Sequence, residues 1–181
     1  MITQLFTQDC VKIMFLFSLS PGSRFDRNMV KEKVMLNNIS LDRAIRHLLS
    51  SNIIKREKRF YSINFENEYS KRLLEICSKQ HKELKEIPLN IFFLLMDFIK
   101  VVSLIKGMDV FLFGSYSKLI YSEKSDVDIA IISDKTVPLK TTKLEKKYGK
   151  IIEVHYFKKD FWKNKKDPLI KSILKDGIKL I

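Results

Sequence analysis

Two carboxylates one residue apart, Asp126 and Asp128, stand at the entrance to the apolar run Val127–Ile132. Side chains on a strand alternate faces, so these two acids point the same way while Val127 points into a core. Like charges at that spacing repel and are rarely placed together without a counterion. The pair reads as a clamp for a hard divalent cation, Mg²⁺ or Mn²⁺, which takes oxygen ligands and keeps waters that phosphate oxygens can replace. Upstream, the apolar run Val110–Phe113 ends in Gly114-Ser115, where backbone N–H groups and a hydroxyl can face an anion. A third carboxylate, Glu153, lies in KIIEVHYF (150–157), on one face of that run together with His155. If the run lies beside 126–132, Glu153 joins the two aspartates. Three carboxylates can hold two cations, one orienting a triphosphate and one activating a hydroxyl. That is the equipment for phosphoryl or nucleotidyl transfer. His155 reads as a packed or surface histidine.

The elements that must position these groups alternate. Strand 108–113 leads to a short helix near 115–119, then strand 126–132, and through Pro138 a helix at about 139–148. Gly149 stops it and strand 150–157 follows. Asp160 is expected to cap a helix near 160–165. Asp167-Pro168 opens another that Gly177 ends, and the run Ile178–Ile181 closes the chain. This is a small α/β unit.

The first half reads differently. Residues 9–19 form a helix, apolar nearly all round, with Asp9 as the expected N-cap and Pro21-Gly22 beyond its end. A short extended piece at 23–25 precedes a helix from about Asp26 to Met35. Asn37-Asn38 makes a turn, and Ser40 is expected to cap the next helix. There Leu41, Ile45, Leu48 and Leu49 form one apolar stripe, with Asp42, Arg43, Arg46 and His47 on the other face. Two short β-type runs follow, joined by the charged turn Lys55–Arg59. This is the order of a winged helix-turn-helix, whose second turn helix enters the major groove while the hairpin lies by the phosphate backbone. Arg43, Arg46, Lys55, Arg56, Lys58 and Arg59 outnumber the two acids in the same stretch, Asp42 and Glu57. With its ending LLSSNIIKR (48–56), the stretch resembles archaeal and bacterial winged-helix regulators. The resemblance implies duplex DNA or another nucleic acid as partner, contacted by these six residues and His47.

Composition supports a polyanionic partner. The 181 residues carry a formal charge of +13, with 16 basic and 10 acidic groups in 1–87 and 18 and 11 in 88–181, so no basic tail stands apart. A hydrophobic content of 45% suffices for a core. Cys10 and Cys77 lie far apart in apolar helical patterns, which excludes a disulfide framework and a thiolate metal site. The most apolar stretch, 91–105, is interrupted by Asp97 and Lys100 and reads as a buried helix, not a membrane span. No signal segment is expected at the start, and the reading is a soluble, cytoplasmic protein without a membrane partner.

Gly114-Ser115, ten residues, then Asp126-Val127-Asp128, with Glu153 on a later strand, resembles the nucleotidyltransferase superfamily that includes DNA polymerase β. The likeness covers roughly 88–181, and the closing segment DPLIKSILKDGIKLI is similar to the minimal nucleotidyltransferases. Many of that branch carry an N-terminal winged helix. The expected architecture is α/β (α+β): a winged helix-turn-helix at 1–65, a helical connector at 66–87, and a mixed-sheet nucleotidyltransferase domain at 88–181. The resemblance implies an NTP-using transferase with Asp126, Asp128 and Glu153 on the metal and Gly114, Ser115 and Lys118 on the triphosphate. It also offers a role as an antitoxin that nucleotidylates a HEPN-type toxin. One position departs from the pattern: where these families place a basic residue followed by glycine, this chain has Lys118-Leu119. The competing reading is a DNA-binding transcriptional regulator whose transferase domain is degenerate or only senses nucleotide. The apolar helix 88–105 is the candidate surface for a homodimer.

Overall fold

Thr7, not Asp9, starts the first helix. In the computed structural model, which describes residues 7–105, 107–135, 138–164 and 166–181, α1 runs Gln8–Leu19 and the Thr7 hydroxyl oxygen accepts from the Cys10 N–H at 3.4 Å. Asp9 falls in the first turn, where its charge still suits the positive helix end. The chain divides into two units, Met1–Phe93 and Leu94–Ile181.

In the first unit, α1 is the central element. Cys10, Ile13, Met14, Phe15, Leu16 and Phe17 are all buried. It packs against α2 (Arg27–Val34), α3 (Asn38–Ser50) and α4 (Glu68–Glu83). Phe15 meets Phe92 with ring centroids 4.3 Å apart, and Phe17 meets Phe25 at 5.3 Å. Asp26 caps α2, accepting from the Met29 N–H at 2.9 Å. Asn37 caps α3 in place of Ser40, accepting from the Ser40 N–H at 2.9 Å. The turn read at Asn37-Asn38 is therefore the helix start itself. Strands β1 (Phe25–Asp26), β2 (Ile54–Glu57) and β3 (Phe60–Ile63) form an antiparallel sheet in the order β1-β3-β2.

The segment expected as a connector contributes α4 to this unit. Asn67 fixes it. Its Oδ1 accepts from the Tyr69 N–H at 2.9 Å, and its Nδ2 donates to the Ser51 and Asn52 carbonyls at 3.3 and 3.1 Å. Asn67→Ala removes the cap and the bond to the Ser51 carbonyl, while Asn64 Nδ2 still donates to the Asn52 carbonyl at 3.0 Å. It should cost about 1–2 kcal/mol, read as a lower midpoint in urea denaturation at unchanged slope.

The helix α5 (Leu89–Val102) contains the unit boundary, and Ile91, Phe92, Phe93, Leu94, Leu95, Phe98 and Val102 are buried along it. Among the described residues, no helix is long and apolar enough to cross a membrane. Cys10 and Cys77 are buried and form no disulfide; the Cys10 thiol donates to the Ala44 carbonyl at 3.7 Å, and burial pushes Cys77 up to about 12.

The second unit holds β4 (Asp109–Leu112), α6 (Gly114–Ser117), β5 (Val127–Ile132), α7 (Thr142–Tyr148), β6 (Ile152–Phe157), α8 (Pro168–Asp176) and β7 (Ile178–Lys179). The sheet order is β6-β5-β4-β7, with β5 and β6 parallel and the other pairs antiparallel. A parallel pair needs a crossover, and α7 supplies it. The helix expected near 160–165 is one 3-10 turn, Phe161–Lys163, whose start Asp160 makes no side-chain cap bond; residue 165 lies outside the described residues. Asp167 caps α8 as expected, with Pro168 at its first position. The second unit thus combines a buried central pair of strands, β4 and β5, with β6 carrying polar side chains along an outer edge.

Candidate active site

The register of β5 on β6 decides which acids meet. Asp128 stands opposite Glu153, and Ala130 opposite His155. Glu153 therefore joins the aspartate of the apolar run, as the strand pattern requires. One donor atom from each of Asp128, Glu153 and His155 lies within 4.8 Å of the others. Asp126 is not in that cluster. The strand begins at Val127, so Asp126 precedes the ladder and the alternation of faces does not bind it. Its charge still reaches Asp128.

Asp128 is the inner member. Burial, then the neighbouring Glu153, raises its carboxyl above the ordinary aspartate value; the Ser115 backbone N–H donates to it and, with His155, opposes the rise. Gly114 makes this possible. Its φ is +71°, and a β-carbon there would overlap Asp128 Oδ2. So Gly114-Ser115 wraps the carboxylate: the missing side chain gives it room and the next amide gives it a hydrogen bond. The Phe113 N–H donates to the Asp128 carbonyl at 3.0 Å, which ties the end of β4 to the same residue.

The loop after Ser117 keeps a glycine-like shape without a glycine. Leu119 has φ +59°. Its N–H reaches the Tyr116 carbonyl at 3.3 Å, and the Ile120 N–H donates to the Ser115 carbonyl at 3.1 Å. A left-handed leucine costs roughly 1–2 kcal/mol, so these bonds and the burial of Tyr116 hold the turn against its side chain. Lys118 Nζ lies 3.8 Å from Asp176 Oδ2 at the end of α8.

His155 is half-buried. Its ring packs edge-on against Phe113 with centroids 5.3 Å apart at 70°, and Nε2 stands 3.6 Å from Glu153 Oε2. The strand pattern put it on the face of Glu153; the Phe113 contact depends on β4 and has no local signal. The donor chemistry fits a divalent cation: two carboxylates converge, and a glycine leaves the inner one accessible. On α7, Glu145 accepts from the Thr141 hydroxyl at 3.1 Å and the Ile152 N–H at 3.2 Å, fixing the start of β6. Tyr148 donates to Asp97 at 2.5 Å, and burial with that bond raises its phenol well above the ordinary value.

In the first unit, Arg43 and Arg46 are exposed on α3, and Lys55, Arg56, Lys58 and Arg59 are exposed on the hairpin. Arg27 holds Asp42 with two bonds, 2.7 and 2.9 Å, which keeps that carboxyl below its usual range and neutralises the one acid on the α3 face. Glu57 is shared between Arg24 at 3.1 Å and Lys55 at 3.4 Å. His47 differs from these: it is half-buried, and its Nδ1 is buried without a partner.

No curated protein and no solved structure matches the chain. Residues 95–180, from within α5 to β7, match the family model of the nucleotidyltransferase domain.

Proposed function

We propose that the chain is a metal-dependent nucleotidyltransferase that moves a nucleoside monophosphate from an NTP to a hydroxyl acceptor. The observation that carries this reading is the register pairing of Asp128 with Glu153 inside the matched region. Asp128, Glu153 and, from just outside the strand, Asp126 hold the cation, Mg²⁺ or Mn²⁺. When bound, the cation orients the triphosphate and lowers the pKa of the attacking hydroxyl. Gly114 and Ser115 keep backbone close to the inner carboxylate; with the Ser115 amide engaged by Asp128, the Ser115 hydroxyl is the group offered to the phosphates. Lys118 adds a positive charge once it leaves Asp176. Incubation with labelled NTPs and either cation should label an acceptor, and Asp126→Asn with Asp128→Asn should remove the label. Absence of label on RNA, on protein and on small hydroxyl compounds overturns the reading.

The first unit supports a nucleic-acid-binding winged helix coupled to this activity. Its element order, its β1-β3-β2 sheet and the exposed cations of α3 and the hairpin fit duplex DNA. Charge reversal at Arg43 and Arg46 together should abolish salt-dependent duplex binding, and a single reversal should lower the salt slope by about one per phosphate lost. Unchanged affinity in a fluorescence titration removes these residues as readers. An antitoxin acting on a HEPN-type toxin, with that toxin as acceptor, is the role the resemblance offers.

A second reading has its own observations. Lys118 is drawn to Asp176 and a leucine fills the left-handed turn. These favour a DNA-binding regulator whose transferase domain senses nucleotide without turnover. Such a protein binds NTP in equilibrium dialysis and labels no acceptor.

A further inference from the structure

Beside the two carboxylates stands a nitrogen donor. His155 lies two residues from Glu153 on the same face of β6. The 3.6 Å between its Nε2 and Glu153 Oε2 is too long for a hydrogen bond, so that carboxylate does not consume the imidazole. The ring is not loose. Phe113 packs edge-on against it at 5.3 Å, and Phe113 is itself bonded through its N–H to the Asp128 carbonyl. One strand end therefore braces both His155 and Asp128. The donor atoms of Asp128, Glu153 and His155 lie within 4.8 Å of one another. On one small divalent ion adjacent ligands stand about 3 Å apart and only opposite ones about 4.2 Å, so the three side chains must close by up to about 1–2 Å to share one ion. Asp126 is outside this group, which leaves the imidazole as the third donor already in place.

We propose that His155 is a direct ligand of the cation that Asp128 and Glu153 hold, and that its nitrogen makes this centre select Mn²⁺ over Mg²⁺. The inference rests on the cation-binding reading above and adds a ligand and a metal preference to it. Mg²⁺ takes oxygen ligands and gives up water reluctantly; imidazole suits the later transition metals best, and Mn²⁺, at the weak end of that series, still accepts it more readily than Mg²⁺ does. Replacing a water by His155 therefore strengthens Mn²⁺ binding more than Mg²⁺ binding. The plain competing account is that His155 only fills space against Phe113, in which case the cation sees oxygen alone.

Pulsed electron paramagnetic resonance on the full chain loaded with Mn²⁺ separates the two. Three histidines are present in the chain, His47, His81 and His155, so a directly bound ¹⁴N can be assigned. The coupling is expected in the parent chain and in His47→Gln and His81→Gln, and is expected to vanish in His155→Gln. Labelling histidine with ¹⁵N in the unsubstituted chain and in His47→Gln and His81→Gln shows that the bound nitrogen is a histidine's and neither of those two, without depending on how His155→Gln folds. Calorimetry should show the preference for Mn²⁺ over Mg²⁺ falling on the order of tenfold in His155→Gln. Mn²⁺ bound through Asp128, and lost in Asp128→Asn, but without nitrogen coupling overturns the role of His155 and leaves the carboxylate site standing. No Mn²⁺ bound at millimolar concentration overturns both.

Discussion

Asp128→Asn should abolish nucleotidyl transfer and at the same time stabilise the cation-free fold. Loss of activity by three orders of magnitude or more is expected, since the inner ligand supplies several kcal/mol of the charge stabilisation at the reacting phosphate. The stability change follows from the raised carboxyl of Asp128, caused first by burial and then by Glu153. The native chain holds that proton more tightly than the unfolded chain, whose aspartate titrates near about 4. Stability therefore falls as pH rises from about 4 through the raised native value, and above it the ionised Asp128 is a standing cost. Asparagine removes the charge and can still accept from the Ser115 N–H. In chelator at neutral pH the variant should melt higher than the parent. Adding cation reverses the order, because only the parent gains from binding, by about 2.7 kcal/mol at a hundred times Kd. A variant that melts lower in chelator shows that burial and repulsion at Asp128 are not the dominant forces there.

Gly114→Ala is expected to destabilise the second unit strongly. It faces two separate penalties: a left-handed φ of +71°, and overlap of the new β-carbon with Asp128 Oδ2. The first costs about 1–2 kcal/mol; the second forces Asp128 off the Ser115 amide, and together they should reach about 3 kcal/mol. Gly149 provides the comparison within the same chain. It also has a left-handed φ, +62°, but nothing lies within 4 Å of its β-carbon position. Gly149→Ala should therefore show the backbone cost alone, with activity retained. The cycle closes with Asp128→Ala, which removes the two nearest atoms and leaves only the β-carbon at 3.0 Å: on that background the excess cost of Gly114→Ala over Gly149→Ala should shrink sharply. An undiminished difference, measured by denaturant midpoints, shows that the overlap with Asp128 is not what makes Gly114 necessary.

Much of the site was readable because its elements are simple. Val127–Ile132 and 152–157 are runs rich in β-branched or aromatic residues, and once they pair in register, Asp128 and Glu153 have no choice but to meet. Asp126 shows the limit of that logic. Alternation predicts faces only inside a ladder, and this residue lies one position before it. Helix starts were misplaced by two or three residues, at Thr7 and Asn37, because several capping side chains crowd each start and neighbouring elements choose among them. The pairing of Lys118 with Asp176, and of His155 with Phe113, joins residues far apart in sequence. Such contacts leave no periodic trace. Leu119 is the converse case: a leucine stands where the pattern has glycine, yet the backbone keeps a left-handed turn, since hydrogen bonds from both sides outweigh one side chain's preference.

The parallel pairing of β5 and β6 also has a kinetic meaning. Asp128 and Glu153 are separated by 153 − 128 = 25 positions, and they become neighbours only when the crossover through α7 is complete. Closing that loop precedes any reward from the contact, so this pairing belongs among the slow, non-local steps of folding. A growing or refolding chain therefore acquires its cation-binding capacity abruptly and late, after β4 and β5 already exist. Time-resolved capture of Mn²⁺ during refolding would mark the moment at which the sheet acquires its last long strand.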